Sequence, residues 1–177
     1  MTDLSKVTFR DAVADDAPAL RALHTAAFDR DTEAALVEEL VAADAVRLSM
    51  VAVLDGRIIA HVLFSPVEIE RKGVRKDEGV LGLGPMAVHP DHQRQQVGFE
   101  LLWAALSKLG QDGVPGVIVL GHRSYYPRFG FVPAAVHGLR WAHPCPAENF
   151  LALEMEKGAL GTTDGVVHYR PEFTSDG

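Results

Sequence analysis

Residues 81–102 read LGLGPMAVHPDHQRQQVGFELL, and the architecture is read outward from them. Leu81 to Val88 is apolar and closes a buried strand that begins near Gly79, weakened by Gly82, Gly84 and Pro85. A polar, turn-prone segment from His89 to Gln96 follows. From Val97 the period becomes helical. Val97, Leu101, Ala105 and Leu109 recur every fourth residue, Leu102 and Leu106 lie beside them, and Gly110 and Gly113 close the helix. A helix that starts where a strand ends leaves backbone N–H groups unpaired and pointing outward, and its dipole favours negative charge there. Arg94 adds a local positive charge, and Gly98 allows close backbone approach. The stretch therefore carries the parts of a phosphate cradle.

On the N-terminal side, Val7 to Arg10 alternates as a first strand. Asp15 or Asp16 can cap the next helix, with Pro18 in its first turn and Leu20, Leu23, Ala27 and Phe28 on one face. Thr32 can cap a second helix, striped by Leu36, Val37, Leu40 and Val41. Leu48–Leu54 and Arg57–Phe64 read as strands joined by a two-residue turn at Asp55-Gly56. Pro66 predicts a bend before Val67–Glu70, and a polar loop runs from Lys72-Gly73 to Glu78. On the C-terminal side, Val117–Leu120 is a short buried strand and Ser124–Arg128 a short helix or turn. Gly130-Phe131-Val132 begins another strand, followed by strands at Asn149–Glu154 and Gly165–Tyr169. This order predicts an α/β fold, a mixed sheet with helices on both faces, in one domain over residues 1–177.

Composition narrows the class. With 47% hydrophobic and 23% charged residues the chain can bury a core without staples. A formal charge of −7 disfavours nonspecific binding to nucleic acid or anionic membrane, so an anionic ligand needs a local site. The lone Cys145 excludes an intramolecular disulfide. Together with the lack of a secretory pattern after Met1 and of any run of ~20 apolar residues, it predicts a cytoplasmic protein without a membrane span. Cys145 stands between Pro144 and Pro146 with nothing nearby to activate it, and reads as inert. His89 and His92 lack a partner cluster at ligand spacing, so no metal is expected.

Met86-Ala87-Val88-His89-Pro90 followed by Gln93-Arg94-Gln95-Gln96-Val97-Gly98 resembles the acetyl-CoA motif of the GNAT superfamily of N-acetyltransferases. That motif is an apolar-x-Val-x-Pro strand end, a Q/R-x-x-G-x-G/A loop and a helix. Tyr126 precedes Gly130-Phe131 by four residues, which resembles the spacing of a tyrosine these enzymes hold near the coenzyme sulfur. The tail (Phe150–Glu154, Gly158–Leu160, Val167–Phe173) resembles a bacterial subgroup of predicted GNAT acetyltransferases. The resemblance implies a GNAT-like acyl-CoA N-acyltransferase fold, with a mostly antiparallel sheet splayed at the cofactor site. It implies that Gln93 and the amides of Arg94, Gln95, Gln96, Val97, Gly98 and Phe99 form the pyrophosphate loop of acetyl-CoA. It also implies that the edge Met86, Ala87, Val88 pairs with the pantetheine arm, and that a homodimer, common in the family, is an expected assembly. One position departs from the pattern: Gln96 replaces the first glycine, where a side chain crowds the phosphates or forces a less common backbone geometry.

The implied chemistry is direct transfer of acetyl to a primary amine of a small molecule or peptide in a ternary complex. A backbone N–H at Met86 or Ala87 is the candidate oxyanion donor and Tyr126 the catalytic proton donor. Glu68, His89 and His122 are candidate bases of equal standing. A noncatalytic acyl-CoA-binding or regulatory module on the same fold is the alternative, motivated by Gln96. A dinucleotide-binding protein is disfavoured, because no G-x-G-x-x-G follows an early strand and no P-loop lysine pattern occurs.

Overall fold

The computed structural model describes residues 1–174. The chain forms two compact units: Met1–Phe64 with Gly84–Lys108, and Ser65–Leu83 with Leu109 onward.

In the first unit the strands are β1 (Thr8–Asp11), β2 (Leu48–Leu54), β3 (Arg57–Pro66, to Phe64) and the second half of β6 (Leu81–Val88), in the order β1-β2-β3-β6. β2 is antiparallel to β1 and to β3, with Arg10 opposite Val51 and Leu48 opposite Phe64. The β2–β3 turn is the expected one: Asp55 and Gly56 both have positive φ, 49° and 76°, as a type I′ hairpin requires. Ile59 to Phe64 is buried without alternation, so both faces of β3 are covered. The helices are α1 (Ala17–Phe28), α2 (Thr32–Ala42) and α3 (Val97–Gln111). α3 buries Val97, Leu101, Leu102, Ala105 and Leu106, the face its period predicts.

Of the expected caps, Asp16 stands at the N-cap of α1 without a side-chain capping bond, and Thr32 gives way to its neighbour. Asp31, not Thr32, occupies the N-cap of α2, and its carboxylate accepts from Thr25 Oγ1 at 2.9 Å. Asp16 precedes α1 but spends its carboxylate on Arg10 (2.7 and 3.0 Å) and the Val13 amide (2.8 Å).

The second unit holds two strand ladders. The first half of β6 pairs parallel with β7 (Gly116–Leu120), from Leu81↔Val117 to Leu83↔Val119. β10 (Phe150–Glu154) is antiparallel to β7 and to the two-residue β8 (Val132–Pro133). The other ladder has the order β5-β4-β11-β9, from β4 (Glu68–Arg71), β5 (Val74–Lys76), β9 (Leu139–Trp141) and β11 (Gly165–His168). Val67, Ile69, Ile118, Ala152, Leu160 and Val167 share one buried cluster.

The segment from Lys72 to Glu78 is not one polar loop: Lys72 and Gly73 (φ 52° and 77°) form a hairpin turn into β5, which pairs with β4. All three β5 residues are exposed, so no apolar alternation announces the strand. The strand expected at Gly130-Phe131-Val132 starts only at Val132, because Gly130 is left-handed and closes a 3-10 turn. Among the described residues, no helix is long and apolar enough to cross a membrane.

Candidate active site

The first unit carries the loop between β6 and α3. Pro90–His92 makes a 3-10 turn, with His89 Nδ1 accepting from the Asp91 amide at 3.2 Å. Gln93 closes the loop from within: its side-chain amide donates to the Val88 carbonyl (3.0 Å) and its backbone N–H to the Pro90 carbonyl (3.4 Å). Gln95 likewise donates to the Asp91 carbonyl at 3.0 Å. These two glutamines shape the loop, and their side-chain amides are already engaged.

The next residues differ. Arg94 and Gln96 are left-handed, with φ 59° and 67°, on either side of Gln95. Each costs ~1–2 kcal/mol in a residue with a Cβ. Of the two outcomes expected for Gln96, the structure shows the uncommon backbone geometry. Backbone that alternates the sign of φ aims successive N–H groups the same way, forming an anion-binding nest. Among the described residues, nothing accepts from the backbone N–H of Arg94, Gln95, Gln96, Val97 or Gly98. Arg94 is exposed and makes no ion pair among the described residues. Five consecutive free donors, a free guanidinium and a helix N-terminus together fit a pyrophosphate. The parallel ladder of β6 stops at Leu83, so Met86, Ala87 and Val88 lie beyond it, with Ala87 buried and the other two half-buried.

Tyr126 lies in the second unit, at the start of the 3-10 turn Tyr126–Phe129. Its ring covers the backbone of Gly121, where an added Cβ would collide with it. Phe131 and Tyr125 meet the ring edge-on, with centroids 5.5 and 5.1 Å away. Burial pushes the Tyr126 hydroxyl up to about 12, so it keeps its proton at neutral pH. Among the described residues that hydroxyl has no hydrogen-bond partner. Tyr125 instead packs on Phe129 and under the Arg128 guanidinium.

The candidate bases differ in setting. His89 is half-buried, with Nδ1 3.7 Å from the Asp91 carboxylate. Glu68 and His122 are exposed. Cys145 is half-buried, its thiol pushed up by burial, in the wall of a cavity of about 180 Å³ with Leu139, Trp141 and Phe150. Among the described residues no group of three or more His, Cys, Asp or Glu could hold a metal ion.

A buried polar chain escaped the sequence reading. His24 on α1 and His61 on β3 are fully buried and joined Nε2 to Nδ1 at 2.8 Å, and His61 Nε2 meets Ser49 Oγ at 2.7 Å. Burial lowers His24 to about 4 and His61 to about 3, and at His61 a charge on His24 adds to the effect of burial. Among the described residues His24 Nδ1 has no hydrogen-bond partner. A bare nitrogen is cheaper to bury unpaired than an N–H, so His24 carries its proton on Nε2 and donates to His61, which donates to Ser49.

The strand, the donor-rich loop and the helix define an acyltransferase cradle, and the chain belongs to the Acetyltransferase (GNAT) family, whose profile matches residues 12–131. Among curated sequences it is similar to the uncharacterized N-acetyltransferase YhbS of Escherichia coli K12, 33% identical over 159 residues, which cover 89% of this chain and 93% of that protein. YjhQ of the same strain is 35% identical over 145 residues, 80% of this chain and 79% of that protein. In three dimensions it resembles E. coli YhbS solved in complex with CoA, at TM-score 0.90 and 33% identity, over 100% of this chain and 97% of that one. A GNAT family acetyltransferase from Brucella melitensis, solved with acetyl-CoA, follows at TM-score 0.76 and 31% identity, over 94% and 97%.

Proposed function

We propose that the chain, acting as one N-acetyltransferase domain, moves an acetyl group from acetyl-CoA to a primary amine of a small molecule or peptide within a ternary complex. The observation that carries this reading is the row of free amides from Arg94 to Gly98 beside the free guanidinium of Arg94. Those donors hold the pyrophosphate, and Phe99 follows them in the first turn of α3. The β6 edge at Met86, Ala87 and Val88 takes the pantetheine arm as an added strand. The coenzyme supplies the activated thioester.

The remaining work falls to this chain's own groups. A backbone N–H at Met86 or Ala87 stabilises the oxyanion that develops during attack. The Tyr126 hydroxyl, protonated at neutral pH and without a hydrogen-bond partner among the described residues, donates its proton toward the leaving sulfur. His89, Glu68 or His122 receives the proton of the incoming ammonium, directly or through water.

The test is thiol release from acetyl-CoA against a panel of amines, beside a coenzyme titration. Saturable coenzyme binding with amine-dependent thiol release supports transfer. Binding without release to any amine supports a noncatalytic module, and no binding at all contradicts both.

A further inference from the structure

A loop held in two left-handed residues without glycine needs outside support, since such backbone persists only where its surroundings over-determine it. Gln95 sits between Arg94 and Gln96, and its side chain is fixed from both ends. Its Nε2 donates to the Asp91 carbonyl at 3.0 Å. Its Oε1 accepts from the backbone N–H of Thr2 and from Thr2 Oγ1, the latter at 2.7 Å. The same Thr2 hydroxyl lies 2.7 Å from His92 Nδ1, one turn earlier in the loop. Because Thr2 Oγ1 gives its only hydrogen to Gln95, His92 must be the donor in that second bond.

Thr2 is itself anchored. Asp3 caps the 3-10 turn Leu4–Lys6, Val7 is buried, and Thr8 enters β1. At the far end of β1, both carboxylate oxygens of Asp11 accept from Lys108 Nζ at 2.7 Å, near the other end of α3. The segment from Thr2 to Asp11 is thus clamped to the loop before α3 and to the last turns of that helix.

We propose that Thr2 is a positioning residue of the coenzyme site: through Gln95 and His92 it holds the loop in the strained form that presents the free amides. The inference rests on the coenzyme reading above, with Thr2 acting on loop conformation rather than on ligand. The experiment is calorimetric titration of CoA at 25 °C into the full chain as wild type, Thr2→Val, Thr2→Ser, Gln96→Gly, and Gln96→Gly with Thr2→Val, each with a thermal melt. Losing the hydroxyl should weaken CoA binding about three- to tenfold. Thr2→Ser, which keeps the hydroxyl, should stay within about twofold of wild type. In the Gln96→Gly background the loop needs less holding, so Thr2→Val should change affinity less than about twofold. The proposal is overturned if Thr2→Val binds as wild type, if Thr2→Ser binds as poorly as Thr2→Val, or if the loss is the same in the glycine background. A fall in melting temperature with unchanged CoA affinity would make Thr2 merely structural and overturn it too. Absence of CoA binding by wild type would overturn the coenzyme reading, and this inference with it.

Discussion

Lowering pH from 6.5 to 5.0 should strip stability from the fold through the His24–His61 pair. Both rings are fully buried, and burial is the main cause that holds them at about 4 and about 3, below the ordinary 6.5. Glu33 pulls His24 back up, and Asp16 does so for His61, without cancelling the burial. A folded value below the unfolded one means that folding favours the neutral ring. Its stabilisation is fully present above pH 6.5 and is lost as pH falls toward the folded values. In that window the unfolded chain takes up the protons, at ~1.4 kcal/mol per pH unit per histidine. By pH 5.0 each ring has lost ~2 kcal/mol and the pair ~4, a large share of a typical domain's stability. Arg10 holds Asp16, and Arg30 holds Glu33, below the usual carboxylate range, so those two acids contribute at lower pH. The assay is urea unfolding followed by circular dichroism at pH 7.5, 6.5, 5.5 and 5.0. A His61→Asn variant, neutral throughout, should show about half the slope. Stability constant to within ~1 kcal/mol between pH 6.5 and 5.0 would refute a dry, neutral pair.

Other perturbations separate binding from chemistry. Arg94→Ala should weaken CoA binding about five- to twentyfold in a titration, and the penalty should shrink in high salt, since the side chain is exposed. Tyr126→Phe should lower kcat about ten- to a hundredfold while KM for acetyl-CoA stays within about twofold; unchanged kcat would remove the proton-donor role. Gly121→Ala drives a methyl into the Tyr126 ring, so it should lower kcat like Tyr126→Phe without altering CoA affinity. Gly116→Ala meets Leu160 and the Leu153 carbonyl at 2.7 and 3.0 Å, and chemical denaturation should show a loss of ~1–3 kcal/mol.

The strand–loop–helix at the cradle was legible because its signals are local. Apolar Leu81–Val88 gives way to a four-residue period at Val97, and the change of period marks the helix start. The Asp55-Gly56 turn was legible for the same reason, since one dipeptide sets the geometry. Lys72-Gly73 does the same work with a residue that seldom signals it, before a strand with no buried face. β9 is three residues long and pairs in parallel with β11, a partner no local pattern indicates. The site was harder to read where chemistry depends on distant partners. His24 and His61 are 37 residues apart, and each alone is indistinguishable from a surface histidine. Thr2 meets Gln95 across 93 residues. The loop motif implied that Gln93 and Gln95 serve the coenzyme, but only the structure shows that their side chains are spent on holding the loop.

Everything proposed for the site depends on the amides from Arg94 to Gly98 binding the coenzyme pyrophosphate. That binding is tested most directly by following the backbone amide resonances of the ¹⁵N-labelled chain during titration with acetyl-CoA, beside acetyl-pantetheine, which lacks the pyrophosphate. Saturable downfield shifts are expected, largest at Arg94, Gln95, Gln96, Val97 and Gly98 with acetyl-CoA and absent there with acetyl-pantetheine. Saturation with the largest shifts elsewhere, or equal shifts at these residues with both ligands, would contradict it.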